Sequence, residues 1–148
     1  MSISLPPPPS PLALPVLTEY YASQSQQIQQ SFARSNTGTA VLLERSALVD
    51  GLVIRLYQEF ISAEPQEPRH LCLLALGGYG RRELFPHSDI DLLFLTEDGG
   101  VQLTYRDAIA TLLRMLWDLR LRVGNSTHTL AECGRLYRDN LEFNISLL

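Results

Sequence analysis

Two short, unbroken apolar runs constrain this chain more than any other feature: Leu71-Cys-Leu-Leu-Ala-Leu76 and Ile90 to Leu95. The first is closed by two glycines, and both read as strands buried on both faces. The 12 residues from Gly77 to Ser88 between them hold a turn and a short helix. A chain of 148 residues, 45% of them apolar, suits one domain with a single core. No apolar run approaches the ~20 residues that a membrane helix needs. The start Met1-Ser-Ile-Ser-Leu-Pro has no basic segment followed by an apolar one, so no secretory signal is visible and a cytoplasmic, non-membrane protein is the default. Cys72 and Cys133 lack any Cys-x-x-Cys spacing, which fits reduced thiols better than a disulfide framework or a zinc site. All 12 basic residues are Arg against 16 acidic ones, so no bulk attraction to nucleic acid is expected. Any phosphate chemistry must come from a local site.

Six of the nine prolines fall in the first fifteen residues, and residues 1–16 read as a proline-rich, disordered tail. Residues 17–62 read as a helical segment. Tyr20, Tyr21, Ile28 and Phe32 predict a helix from Thr18 to Arg34, and Ser35-Asn36-Thr37-Gly38 breaks it. A broad apolar face that includes Val41, Leu48, Leu52, Leu56 and Phe60 predicts a second helix from about Thr39 to Ile61. Pro65 and Pro68 then stop it. Residues 69–148 form the third unit. After the turn at Glu97 to Gly100, spacing from Leu103 to Trp117 predicts a helix of roughly sixteen residues. The alternation Leu119-Arg-Leu-Arg-Val123 predicts a third strand, Gly124-Asn125-Ser126 a turn, and Thr129 with Glu132 a capping box that opens another helix. The end Ile145-Ser-Leu-Leu148 is apolar with no helix stop, which raises the expectation of a truncated domain.

The chemistry lies in Leu76-Gly-Gly-Tyr-Gly-Arg-Arg-Glu-Leu-Phe-Pro-His-Ser-Asp89-Ile-Asp91. Carboxylates at i and i+2 on a strand project to one face, so Asp89 and Asp91 are placed to share metal ions. Unpaired on an apolar strand they would repel each other and lose hydration, and a divalent cation offsets both penalties. Mg²⁺ fits best, being hard and usually held by one or two carboxylates plus substrate phosphates. Gly77, Gly78 and Gly80 let backbone approach a triphosphate, and Ser88 adds a hydroxyl. The segment is not a Walker loop, which needs a lysine, nor the dinucleotide fingerprint, whose third glycine is replaced by Glu83.

Gly-Gly-Tyr-Gly-Arg, Glu-Leu, Pro and Ser-Asp-Ile-Asp-Leu resemble the nucleotidyltransferase domain of the bifunctional uridylyltransferase/uridylyl-removing enzymes, within the DNA polymerase β-like superfamily. The likeness continues through Leu116-Trp-Asp-Leu-Arg-Leu-Arg-Val-Gly124 and Thr129 to Cys133. The resemblance implies an α/β fold with a small mixed sheet, preceded by helices. It implies transfer of UMP from UTP to a tyrosine of the PII signal protein, with pyrophosphate released and nitrogen status reported through glutamine where C-terminal sensing domains exist. It also implies Gly77 and Gly78, with Gly80 and Arg81 in the same motif, as the nucleotide turn, and Asp89 and Asp91 as the metal pair. The superfamily adds a third carboxylate from a neighbouring strand, for which Asp118 is the candidate, a helix-terminal surface Asp being the alternative. Two departures stand out: Arg82 where the family usually has glycine, and Asn125 where it usually has histidine. A truncated or inactive domain that binds nucleotide or partner proteins without turnover is the other reading.

Elsewhere the bland reading is preferred. His70 reads as a polar flank and His87 as a loop histidine near substrate at most, while Trp117 and Tyr105 read as core. Arg120 and Arg122, on one face of the expected third strand, suit a nucleotide contact or a solvated face.

Overall fold

The structure, a computed structural model, describes residues 5–10, 12–35, 37–62, 70–139 and 145. Helices α1 (Leu14–Ser35) and α2 (Gly38–Phe60) precede β1 (Leu71–Leu76), the single turn α3 (Gly77–Gly80) and β2 (Ile90–Thr96). There follow α4 (Gly99–Asp118), β3 (Val123–Thr129) and α5 (Leu130–Asp139). The expected mixed α/β architecture is observed. The described strands form one sheet in the order β1-β2-β3, with β1 antiparallel and β3 parallel to the central β2. None of the described helices is long and apolar enough to cross a membrane.

One face of the sheet carries the core. Ile90, Leu92 and Phe94 of β2 pack with Val49, Leu52 and Leu56 of α2 and with Ile109, Leu112 and Leu116 of α4. Burying such a side chain contributes about 1.5–3 kcal/mol, so α2 is integral to the domain rather than a separate arm. The chain on the N-terminal side also packs here: the Tyr20 hydroxyl donates to the Pro6 carbonyl at 2.7 Å, and α1 begins at Leu14, four residues earlier than expected.

Three sequence expectations are corrected. β1 is not buried on both faces. Among the described strands it pairs with β2 alone, and while Leu71 and Leu73 turn to the core, the alternate residues Cys72 and Leu74 are exposed. The third strand is not Leu119 to Val123 but Val123–Thr129, and Gly124-Asn125-Ser126 lie within it rather than in a turn. The Leu-Arg alternation belongs to the end of α4. Arg120 takes a left-handed conformation (φ 63°), and the N–H of Leu121 folds back to the Leu116 carbonyl at 3.2 Å. This helix-ending geometry buries Leu119 and Leu121 while Arg120 stays exposed, which mimics a strand pattern. Trp117 is not core either. It is 48% exposed and its indole N–H lies 3.4 Å from the Val123 carbonyl, whereas Tyr105 is buried as expected.

The expected turn at Glu97 to Gly100 is shorter than its composition suggests, because Gly99 and Gly100 already belong to α4. Asp98 Oδ1 accepts from the Val101 N–H at 2.9 Å and starts α4, which reaches 20 residues. The Thr129 N–H donates to Glu132 at 2.7 Å while the Glu132 N–H donates to Thr129 Oγ1 at 3.2 Å, closing the predicted capping box. The proline stop after α2 and the apolar chain end, Ile145 apart, lie outside the described residues.

Candidate active site

Asp91 sits in the middle of a three-strand row, opposite Leu76 on β1 and Gly124 on β3. Its carboxylate has room because both flanks end in hydrogen. A Cβ on Gly124 would lie 2.6 Å from Asp91 Oδ1, and one on Gly77 would lie 3.1 Å from Oδ2. Gly77 is also left-handed (φ 57°), a conformation that glycine adopts without the usual steric cost. The carboxylate faces a cavity of about 570 Å³ lined by Gly77, Arg81, Asp91, Gly124, Asn125 and Ser126, together with Leu76, Leu92 and Ile145. Burial, and then the negative charge of Asp89, push the Asp91 carboxyl above its ordinary range. The local field therefore disfavours a bare anion and favours a cation or a proton.

Asp89 lies just before β2 rather than on it. Its Oδ1 forms an ion pair with Arg122 Nε at 2.9 Å, and Arg122 Nη1 donates to the His87 carbonyl at 3.1 Å. Both partners of the ion pair are more than half exposed, so it is worth roughly 0–1 kcal/mol and leaves the Asp89 carboxylate exchangeable.

The glycine turn is fixed from behind by α2. Tyr79 is buried, and its hydroxyl donates to Asp50 Oδ1 at 2.9 Å, while Arg82 Nη2 donates to Asp50 Oδ2 at 3.2 Å. Burial, then the Asp50 charge, drive the Tyr79 hydroxyl well above the ordinary phenol range, so it remains a proton donor. Gly80 presses on β1, where a Cβ would meet the Ala75 carbonyl oxygen at 2.5 Å. The unexpected Arg82 thus pairs with α2, and it is Arg81 whose Nε contacts Glu83 at 3.2 Å.

Of the residues singled out from the sequence, Gly77, Arg81 and Asp91 line one cavity, with Asp89 beside it. Gly78 and Gly80 shape the turn without lining that space. Ser88 lines a different cavity, beyond Ile90. Asp118 is the last residue of α4, not the start of a strand; it is exposed and does not line the Asp91 cavity. Among the described residues no group of three or more His, Cys, Asp or Glu side chains is placed to hold a metal. Gly124 and Ser126 are the lining residues that sequence reasoning misses, whereas Asn125 stands out only as a departure from the family pattern and Arg122 only as a nucleotide contact or solvated residue. The signal for Gly124 and Ser126 was the Val123-Gly-Asn-Ser stretch, which reads locally as a turn but which the family likeness includes.

Fold and site together define a nucleotidyltransferase-type domain: a mixed sheet with a glycine turn after its edge strand and a carboxylate pair at the start of its central strand. The family profile described as "Putative nucleotidyltransferase DUF294" matches residues 22–134, most of the chain, from within α1 through all of α2, α4 and the sheet, and the protein belongs to this family. It is similar to the bifunctional uridylyltransferase/uridylyl-removing enzyme of Cereibacter sphaeroides, 38% identical over 143 residues that cover 93% of this chain and 15% of that protein. The enzyme of the same name from Nitrosospira multiformis is 37% identical over 131 residues, covering 85% and 14%. That from Pseudomonas putida is 43% identical over 98 residues, covering 66% and 10%. The chain thus spans about 15% or less of the length of these relatives. No solved structure matches it.

Proposed function

We propose that this domain transfers a nucleotidyl group, in particular UMP from UTP to a tyrosine of a PII-type signal protein in the cytoplasm. The observation that carries the proposal is the seat of Asp91 between Gly77 and Gly124, with Asp89 adjacent. In the reaction the tyrosine oxygen bonds to the α-phosphorus, the bond from that phosphorus to the oxygen bridging to the β-phosphate breaks, pyrophosphate leaves, and the tyrosine proton passes to solvent. Asp89 and Asp91 hold divalent metal, with Mg²⁺ as the proposed ion. The fit rests on the raised Asp91 pKa and on hard carboxylate oxygens as donors. Bound there, the ion supplies charge neutralisation for the triphosphate.

The residues of this chain do the positioning. Backbone at Gly77 meets the phosphates, Gly78 and Gly80 shape the turn that presents it, and Arg81, on the cavity wall, adds a guanidinium to their oxygens. Asp50 keeps that turn in place through Tyr79 and Arg82. Asp118 has no part in this scheme. The division expected from the sequence, a tail over 1–16, a helical segment over 17–62 and a catalytic unit over 69–148, enters the same proposal with two changes: α1 already begins at Leu14, and α2 completes the catalytic core. Response to glutamine belongs to sensing domains such as the longer relatives have room for.

A second reading, nucleotide binding without turnover, is favoured by the two-carboxylate count at the cavity among the described residues. One pair of measurements separates the two. Calorimetry with UTP and Mg²⁺ is expected to show binding that EDTA abolishes, and radiolabelled UMP is expected to appear on PII. Binding without label transfer establishes the second reading, and no Mg²⁺-dependent binding at all overturns both.

A further inference from the structure

A second cavity, of about 250 Å³, lies on the opposite side of the β2 start, where Ile90 rather than Asp91 forms the wall. Arg45, Arg120 and Arg122 line it together with His87, Ser25 and Ser88, and no carboxylate is among its lining residues. The protein carries a net charge of −4, so this is a local reversal of sign. Among the described residues, Arg122 alone of the three has an acidic partner, Asp89. Arg45 gives its Nε to the Leu84 carbonyl at 3.3 Å and has no carboxylate partner among the described residues. The side chain of Arg120 has no hydrogen bond or ion pair among them. Ser25 Oγ is buried and also lacks a hydrogen-bond partner among the described residues. A buried hydroxyl without a partner is destabilising, so it marks a place where a ligand or water completes the structure.

The shape of the donor set selects the ligand. Three arginines and two serines line one small space and, even with Arg122 engaged by Asp89 and the His87 carbonyl, carry more donors than the two oxygens of a carboxylate accept. A phosphate, with its several oxygens, matches forked donors arriving from different sides. The backbone commits to this arrangement. His87 and Arg120 are both left-handed (φ 68° and 63°), and buried Leu119 and Leu121 on either side leave Arg120 on the cavity wall.

We infer that the cavity between Arg45, Arg120 and Arg122 binds a phosphate group, free or carried on a nucleotide, separately from the cavity of Asp91. The two cavities share none of the basic residues that line them, and although Arg122 is ion-paired to Asp89, Arg45 and Arg120 touch neither member of the proposed metal pair, so variants at those two test the inference apart from the transferase reaction.

Calorimetric titration of the full chain with inorganic phosphate, in buffer containing EDTA, tests it. One site is expected for the wild type. The double variant R45Q/R120Q is expected to bind at least about tenfold more weakly, the loss of one to two charge-assisted hydrogen bonds. The Asp91→Asn variant is expected to bind phosphate as the wild type does, even where it loses Mg²⁺-dependent UTP binding. Arg120→Gly removes the guanidinium yet suits the left-handed backbone. Weaker phosphate binding with an unchanged or raised melting temperature therefore separates a ligand role from a folding role. UMP and uridine distinguish the sources: equal affinity for phosphate and UMP assigns recognition to free phosphate, and tighter UMP binding assigns it to a nucleotide. No phosphate binding by the wild type at millimolar concentration, or wild-type affinity in a double variant shown to be folded by circular dichroism, overturns the inference.

Discussion

The cavities on either side of the β2 start are built in opposite ways. Around Asp91 the side chains are removed: glycines stand on both flanks, and the one charged group on the strand is made costly by burial and by Asp89. Around Ile90 side chains are accumulated, with three arginines drawn from α2 and from the turn that ends α4. A site made from missing side chains depends on strand register, whereas a site made from long arginines depends on where loops end. Mutation should therefore strike them differently.

The largest effect is expected from Asp91→Asn. It removes a proposed direct metal ligand, and even losses in the shell around a metal typically cost 10–100-fold, so Mg²⁺-dependent UTP binding should fall by more than about 100-fold. Unchanged Mg²⁺ dependence in calorimetry would remove Asp91 from the site. Gly124→Ala comes next. Its Cβ would stand 2.6 Å from Asp91 Oδ1, and overpacking of this kind costs about 1–3 kcal/mol. Urea denaturation should show that loss while phosphate binding on the Ile90 side persists; a fully stable variant with normal UTP affinity would show that the flank is not tight.

Tyr79→Phe should cost about 0.5–1.5 kcal/mol by removing the hydrogen bond to Asp50, and should weaken UTP binding through the turn rather than through contact. Equal UTP affinity in that variant would detach α2 from the site. The smallest effect is a pH dependence. The folded-state pKa of Asp91 is raised, so the metal-free protein is penalised when this group is ionised, and its contribution improves as pH falls through the folded value. Glu132 has the opposite sign, because the Thr129 hydrogen bonds lower its pKa. Its stabilisation is present above the unfolded value and fades as pH drops through the folded one. Melting curves of Asp91→Asn and Glu132→Gln across the acidic range should thus depart from the wild type in opposite directions.

The two cavities also differ in how legible they were. The spacing Asp89-x-Asp91 and the glycines after Leu76 announce the first because its determinants are contiguous and their chemistry follows from residue type. Gly124 escaped notice because a glycine beside Asn and Ser has the composition of a turn, and only the parallel pairing with β2 reveals that it makes way for a carboxylate. The second cavity could not be read along the chain. Arg45 and Arg120 come from separate elements, and the left-handed end of α4 imitated a strand. The apolar run of β1 misled in a further way, since whether one face of a strand or both are covered depends on neighbours that local hydrophobicity does not encode.

The mixed direction of the sheet has a temporal consequence. Leu76 and Asp91 are joined through a short antiparallel connection, whereas Asp91 and Gly124 meet only after α4 has crossed between parallel strands. Contacts close in sequence carry the smaller loop-closure entropy and tend to be made first. One half of the carboxylate's seat should then exist in the folding transition state while the other does not. Destabilising changes in β1 would slow refolding, and those at Gly124 would chiefly hasten unfolding. The arrival of Gly124 beside Asp91 becomes the late event that turns a hairpin into a binding site, and stopped-flow chevrons of the two classes of variant would time it.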